Sequence, residues 1–561
     1  MQFFQYLLAI FVKILAMQNT ASHTTLSNKK DATASCAEAF DTDLTTHIDV
    51  DTLVDMLTKK DQVIEKKSSV IEEQKKRIEI LEEYLRLERA RRFGASSEQS
   101  PHQEPLLFDE AEAIEETASI SAELEALQAI SDTPKKRGRK GLSKKIPRHQ
   151  VHINLSEEEK AGAVDTFYSF SKEELDIVPA KVRVIEYLQE KAVFVDEGTR
   201  HIKAATLPKH PLNKCIASIS LLAYIIVSKY CDGLPLYGLE AILKRYGGDI
   251  TRTSMANWAI RLAVELQPLI NLAREHQLAY DYLQIDETRI KVLKEINKSP
   301  HTDKWMWVSK GGPPDKPVVL FDYDPSRGQE VAARLLDGFE GYVQCDGLAS
   351  YDAACGKNSQ QKMLGCFDHA RRKYVEAQKA ARSPSKKSAK VSKADVALGK
   401  INALYRLERT IKDLPPHEKY QHRQTVAVPI LEALKIWLEK NIGGVVKGGL
   451  TYKAMYYSLN QWPKLIRYCE DGRLNISNAG AENAIRPFAI GRKRWLFSDT
   501  PKGAHASAVH YSLVEMAKAN GLKPDEYYRY ILERLSYAET VEDLEALLPW
   551  SVKAALEKNS D

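Results

Sequence analysis

Apolar residues recur every seven positions early in the chain, at Leu57, Ile64, Ile71, Ile78 and Leu85, with Leu53, Val63, Val70 and Leu81 close by. Lys, Glu, Gln and Arg fill the intervening positions. One clean apolar position per heptad predicts a coiled-coil helix over residues 53–92 and, through it, a homo-oligomer. The second seam position holds Lys60, Lys67 and Gln74. The coil is therefore weak, or it closes on another part of the same chain; a solvent-exposed single helix gives a similar pattern. Arg91, Arg92, Phe93 and Gly94 mark its end.

Residues 151–214 mix loops with strand-like runs at Val182–Tyr187 and Ala192–Val195. The period then turns helical over 215–276. PLYGLEAILKRYGGDITRTSMANWAIRLA reads as two helices about a Gly-Gly turn, with Pro235 at a start, Gly247 at an end, and Thr251 or Thr253 as the next cap. A helix-turn-helix would present Arg252, Thr253, Ser254 and Asn257 to a DNA groove, whereas a plain helical hairpin would present them to solvent.

From 277 to 380 the pattern becomes α/β. AYDYLQIDETRIKVL predicts a strand pair with Asp286 near the end of its first strand. KWMWVSKG and PVVLFDYD are strands, residues 328–337 a helix, and GYVQCDGLASY a strand ending at Asp346. KMLGCF is a fifth strand, leading into the basic helix DHARRKYVEAQKA. Three antiparallel strands followed by alternating strands and helices match a ribonuclease H-like sheet, in which the first and fourth strands are neighbours and Asp286 and Asp346 project side by side. Residues 381–470 form a helical insertion that opens on the basic stretch RSPSKKSAKVSK. Its Tyr452, Lys453, Tyr456, Tyr457, Trp462, Lys464 and Arg467 suit a helical core, or stacking on unpaired bases. Residues 471–500 hold a helix that places Ala481, Ala484, Ile485, Phe488 and Ala489 on one face with Glu482 at its border. Ser477 or Asn475 is expected to cap it and Pro487 to kink or end it. Residues 501–561 are a helical C-terminal domain. The fold class is thus multidomain α+β: a ribonuclease H-like catalytic core with a helical insertion, an N-terminal coiled coil and helical flanks.

With 561 residues, 43% of them hydrophobic, the chain can fill several ordinary cores, and a net charge of +5 says little until its distribution is read. Eight Lys or Arg and no acid lie between Lys135 and Arg148. This arm, within a linker over 93–150, includes Lys135, Lys136, Arg137, Arg139 and Lys140. It is either a solvated tether or a contact to DNA phosphates, where counterion release favours clustered cations. An acidic helix is expected over 109–127. Seven scattered cysteines without a CxxC pair argue for a reducing compartment and against a disulfide framework. The apolar start, MQFFQYLLAIFVKILAM, is short for a membrane span and carries Lys13. Translation is expected to begin at Met17 rather than Met1, and residues 1–52 are expected to lack fixed structure. No membrane association is expected.

Asp286 and Asp346 lie 60 residues apart and Glu482 follows 136 later. Two carboxylates from adjacent strands and one from a helix can hold two Mg²⁺ (or Mn²⁺) about 3.5–4 Å apart, the arrangement that hydrolyses a phosphodiester and joins a 3′-hydroxyl to new DNA. Glu287 is an auxiliary candidate. Arg371, Arg372, Arg486, Arg492 and Lys493 are candidates for holding backbone phosphates. A surface ion pair between Glu482 and Arg486 is the plainer account of that helix.

The ordered set LEEYLRLERARRFGASSE, GRKGLSKKIPRH, SKYCDGLPLYGLE, QIDET, VQCDGLASY, CFDHARRKY, AENAIRPFAIGRKRWLFS and LEALLPW resembles the transposases of the IS66 insertion-sequence family, from about residue 53 to the end. The resemblance implies a DDE-type DNA transposase acting on double-stranded terminal repeats and target DNA in a bacterial cytoplasm. Small accessory proteins encoded by the same element are implied as partners. Its acidic motif falls on Asp286, Asp346 and Glu482, as catalytic and metal-holding residues. The family's paired CxxC zinc motifs have no counterpart in residues 151–214, and His201 and His210 cannot replace four ligands, so no zinc is expected.

Three readings follow. One is a Mg²⁺-dependent transposase. Another is a catalytically inactive DNA-binding regulator derived from one. A carboxylate-pair glycosidase explains neither the basic arm nor the coiled coil.

Overall fold

The computed structural model describes residues 50–93, 156, 168, 182–196, 199–347, 349–355, 360–381 and 391–558. The N-terminal extension with Met17, the acidic segment 109–127, the basic arm with Lys135, Lys136, Arg137, Arg139 and Lys140, and most of the RSPSKKSAKVSK stretch lie outside them. The chain divides into two units, at Glu79/Ile80.

Helix α1 spans Val50–Phe93. Along it Ile64, Ile71, Ile78 and Leu85 are half or more exposed. In the second unit the last turns of α1 close on the chain's own helices. Leu87 is buried, Tyr84 packs beside it, and Glu83 accepts the Leu450 N–H at 2.9 Å. The apolar residue that packs is thus Leu87, two positions past the heptad residue Leu85.

A hairpin of β1 (Lys191–Asp196) and β2 (Thr199–Ala204) follows. Residues 182–190 are not a strand; Val182, Val184, Ile185 and Tyr187 face solvent, and among the described residues no partner strand satisfies an extended backbone there. Then come α2 (Ile219–Tyr230), α3 (Leu236–Arg245) and α4 (Arg252–Leu278). Gly247 takes φ +85° after α3, the left-handed conformation that ends a helix without a Cβ penalty. Thr251 caps α4 by accepting the Ser254 N–H at 3.2 Å. Leu262, Leu266, Leu269 and Ala273 bury the apolar face of α4 completely.

The central sheet comprises β3 (Tyr282–Ile290), β4 (Lys304–Gly311), β5 (Val318–Asp324), β6 (Gly341–Gln344) and β7 (Gln361–Leu364), with α5 (Gln329–Leu335), α6 (Ala349–Cys355) and α7 (Phe367–Ala381) in the connections. Its order is β5-β4-β3-β6-β7. The first three strands are antiparallel, and β6 and β7 run parallel to β3. The expected strand pair over AYDYLQIDETRIKVL is one strand, with Asp286 at its middle; Tyr282–Gln284 pair with β6 and Gln284–Ile290 with β4, leaving no turn. The expected neighbouring of the first and fourth strands is present.

Residues 391–470 are helical: α8 (Lys393–Thr410), α9 (Pro416–His422), a π turn (Arg423–Ala427), α10 (Val428–Ile442), α11 (Leu450–Asn460), α12 (Trp462–Leu465) and a 3₁₀ turn (Ile466–Glu470). Arg423 is buried where the π turn widens the backbone. It holds Glu408 through Nε and Nη2, and donates to the carbonyls of Tyr468, Asp471 and Leu474 at 2.8–2.9 Å. Helices α13 (Ala479–Trp495), α14 (Pro501–Ala519), α15 (Pro524–Leu535), α16 (Val541–Glu545) and α17 (Pro549–Lys558) complete the chain. Helix α13 begins at Asn478 without a side-chain cap bond and runs through Pro487 to Trp495. The missing N–H of Pro487 does not end it, because Ile485, Phe488 and Gly491 are packed on the core on either side.

The sheet carries a core on each face. Leu283, Ile285, Trp307, Val343 and Cys345 pack beneath α5 and α6. On the opposite face Met306, Val308 and Phe321 meet Ala481, Ile485 and Phe488 of α13 and Tyr511 of α14. Among the described residues no helix is long and apolar enough to cross a membrane.

Candidate active site

Alternation along a strand decides which side chains face α13. Ile285 goes to one core; Gln284 and Asp286 go to the other face. In the parallel register Gln284 lies opposite Gln344, so Asp286 and Asp346, each two residues further on, leave the sheet side by side. Asp346 stands just past β6, where Gly347 takes φ +83° and a Cβ would press on Tyr457 and Gln461. Tyr457 donates its hydroxyl to the Asp346 carbonyl at 2.9 Å.

Glu482 arrives from the first full turn of α13. The segment before it is tied to the sheet by buried polar groups. Gln284 Nε2 donates to the Ser477 carbonyl at 3.1 Å, Gln344 Nε2 to that of Asn475 at 2.8 Å, and Asn478 Nδ2 to that of Ile285 at 2.8 Å. Gly480 lies so close to Gln284 that a Cβ there would overlap its Oε1.

The carboxylates act on one another. Burial pushes the Asp286 carboxyl well above its ordinary value, and the charges of Glu287, Glu482 and Asp346 add to the rise, against the Glu287 N–H that it accepts at 2.9 Å. Glu482 is raised by burial and by Asp368 and Asp346, against Arg372 and Arg486. Arg372 stands 3.9 Å from Glu482. Glu482 Oε1 is buried with no hydrogen-bond partner among the described residues, as is His369 Nδ1, 3.6 Å away. Burial and Arg372 hold His369 below its ordinary value, against Asp346 and Asp368, which favours the neutral ring. Buried, mutually repelling oxygens with an unused acceptor fit a hard divalent cation.

The three acids do not form a tight triad. Among the described residues the grouping with all donor atoms within 4.8 Å of one another is Cys366, His369 and Glu482. Two ions about 3.5–4 Å apart, each about 2.1 Å from its oxygens, allow the outermost ligands to stand about 8 Å apart, so a looser set is what a two-ion site needs.

Glu287 points to the opposite face. It is fully engaged: Arg327 donates to Oε1 from Nε at 2.8 Å and also from Nη2, and Tyr351 donates to Oε2 at 2.6 Å. Arg327 reaches towards Asp346 as well, at 4.0 Å, and lies over Trp305. Neither Arg327 nor His369 stood out in the sequence; each is an isolated polar residue whose importance depends on partners far along the chain.

The cationic candidates separate. Arg372, Arg486 and Lys493 are open to solvent on the Glu482 side, and Arg252 and Asn257 are exposed at the start of α4 with Thr253. Arg492 is bound to β3 through Thr288 Oγ1 at 3.1 Å and the Arg289 carbonyl. Arg371 must be corrected: it is 3% exposed, donates to Asn402 at 3.0 Å and lies over Tyr405, so it ties α7 to α8 and cannot reach a phosphate. Of the insertion's aromatics, Trp462 is core, while Tyr452 and Tyr456 stack on each other with Tyr456 exposed. Lys464 pairs with Asp352 at 2.5 Å and joins the insertion to α6, and Arg467 donates to the Met363 carbonyl at 2.7 Å and joins it to β7. His210 is occupied by backbone groups of Leu212 and Ala217.

The chain belongs to the IS66 transposase family. The model described as "Transposase IS66 family" matches residues 214–506, the "IS66 C-terminal element" residues 512–550, and "Transposase C of IS166 homeodomain" residues 80–151. Two relatives come from Sinorhizobium fredii (strain NBRC 101917 / NGR234). Uncharacterized protein y4qI is 31% identical over 454 residues, covering 78% of this chain and 82% of its own. Uncharacterized protein y4jD is 29% identical over 428 residues, covering 74% and 82%.

Proposed function

We propose that the protein is a DDE-type DNA transposase with a ribonuclease H-like core, which cuts phosphodiester bonds at the ends of an insertion sequence and transfers the 3′ ends to target DNA. The observation that carries this reading is the placement of Asp286 and Asp346 side by side at neighbouring parallel strands, with Glu482 fixed over the same face by Gln284 and Asn478. Asp286, Asp346 and Glu482 would hold the divalent cations. When bound, such ions activate a water or a 3′-hydroxyl and stabilise the leaving oxygen.

The chain's own residues do the rest. The buried glutamine pair keeps the two aspartates in register, and Arg327 keeps Glu287 neutralised behind them. Arg372 and Arg486 steady the phosphate beside Glu482, and Lys493 extends the cationic face. Arg252 and Asn257, with the basic arm from Lys135 to Lys140, supply contacts to duplex DNA away from the cut. The exposed stripe of α1, Ile64, Ile71 and Ile78, pairs two copies, as joining two element ends requires. The protein works in the cytoplasm on chromosomal DNA, together with small proteins of the same element.

The test is nicking of a labelled terminal fragment by the full chain with Mg²⁺ or EDTA. Mg²⁺-dependent cutting at the element end, lost in Asp286→Asn, supports the assignment. End binding without cutting in the wild type would make the protein a regulator instead.

A further inference from the structure

Cys366 and His369 take no part in the chemistry proposed above, yet both face Glu482. Cys366 precedes the first residue of α7 and His369 follows three residues on, the spacing that puts two side chains on one face of a helical turn. The Cys366 sulfur, a His369 ring nitrogen and a Glu482 oxygen lie within 4.8 Å of one another. The His369 Nδ1 to Glu482 Oε1 distance is 3.6 Å. Around a tetrahedral ion with bonds of about 2.3 Å to sulfur and about 2.0–2.2 Å to nitrogen and oxygen, neighbouring donors stand about 3.3–3.8 Å apart. The His369 and Glu482 donors therefore already stand at their bound spacing, with the sulfur within 4.8 Å of both. Both Nδ1 and Oε1 are buried without a hydrogen-bond partner. The sulfur accepts the Asn478 N–H at 3.2 Å, which orients it towards the start of α13.

We infer that Cys366, His369 and Glu482 form a site for a borderline divalent cation of the Zn²⁺ class, with one coordination position left open. Thiolate, imidazole and carboxylate are not a donor set for Mg²⁺, which takes oxygens. Binding converts the Cys366 thiol to thiolate and releases its proton to solvent. A further divalent ion on Glu482 Oε1 places its charge within a carboxylate's width of the hard ions, so the Zn²⁺-class ion and the hard ions are inferred to exclude each other. That exclusion rests on the role given to Glu482 in the proposed function; the existence of the site does not.

The probe is Co²⁺, titrated into the metal-free full chain. The expected result is one ion per chain, with the intense visible bands of tetrahedral cobalt, a thiolate-to-cobalt charge-transfer band, and displacement by Zn²⁺. Cys366→Ser keeps an acceptor for the Asn478 N–H and is expected to remove the charge-transfer band and weaken binding about 100-fold or more, since even outer-shell partners are worth 10–100-fold. Circular dichroism checks that its fold is retained, and Glu482→Gln provides a second, independent loss. A wild type without the charge-transfer band, or a Cys366→Ser protein that keeps it, overturns the site. Exclusion is read separately from the electron paramagnetic resonance of bound Mn²⁺. Zn²⁺ should release Mn²⁺ from the wild type but not from Cys366→Ser. Mn²⁺ that stays bound beside Zn²⁺ overturns the exclusion. A wild type that binds no Mn²⁺ overturns both the exclusion and the proposed function, while the cobalt spectrum still decides the site.

Discussion

Gln284 donates from Nε2 to Gln344 Oε1 at 2.7 Å, joining two buried side chains on adjacent parallel strands. Each stands two residues before an aspartate. The bond therefore fixes the register that sets Asp286 beside Asp346, since a one-residue slip would turn one of them to the opposite face. Each amide also donates to the chain entering α13, and Gln344 Nε2 donates further to the Gly365 carbonyl at 3.1 Å. One polar network thus positions all three acids.

Asp286→Asn, Asp346→Asn and Glu482→Gln are each expected to lower Mg²⁺-dependent nicking by about 10²–10³-fold or more, the range for removing one preorganised charge-stabilising group. Binding to an end fragment, read by gel shift, stays within a few-fold. Normal cutting by all three variants rules the assignment out.

Charge relief supplies a second expectation. The Asp286 carboxyl is raised by burial first, then by its acidic neighbours. The folded chain thus holds that proton more tightly than the unfolded chain, whose ordinary value is 3.8. This group's contribution to stability improves as pH falls through its raised value and is unfavourable at pH 7.5, where the unfolded chain's carboxyl is ionised. In EDTA at pH 7.5, Asp286→Asn should melt above the wild type, by about 2–4 °C per kcal/mol relieved. Mg²⁺ should raise the wild-type Tm and leave the variant's nearly unchanged. A variant that melts lower in EDTA contradicts this.

Gly480→Ala places a methyl group on Gln284 Oε1. Overpacking of this kind costs about 1–3 kcal/mol and displaces the turn that carries Glu482. Nicking should fall further than binding, and Gly480→Ala with Gln284→Ala should recover part of the lost stability in a urea melt. A single variant with wild-type stability and rate would show that the turn gives way freely.

Much of this was legible beforehand. The strands with unbroken apolar runs, the neighbouring of β3 and β6, and the helix bearing Glu482 all follow from local periodicity and from the order of elements. The misses share one cause. Arg371 reads as a surface cation because its partners, Asn402 and Tyr405, lie across a helical insertion. Pro487 reads as a helix stop because the packing of Phe488 is not local information. The glutamine pair, Arg327 and His369 carry no pattern of their own; distant chain segments complete their hydrogen bonds and charges.

Arg423→Met should be among the most damaging changes away from the acids. It strands Glu408 and three carbonyls in the interior, at a cost of about 3–5 kcal/mol for the unpaired charge. Replacing Glu408 by Leu as well should return part of the loss, as coupled partners do. Additive losses in urea denaturation would mean that the two side chains act separately.

The Ser477 carbonyl that Gln284 grips lies 193 residues further along the polypeptide. A ribosome has therefore already made both aspartates, and the whole helical excursion must follow before the third acid exists. On the function proposed above, a chain released before residue 482 carries both aspartates but lacks the third acid, so its cation site is incomplete.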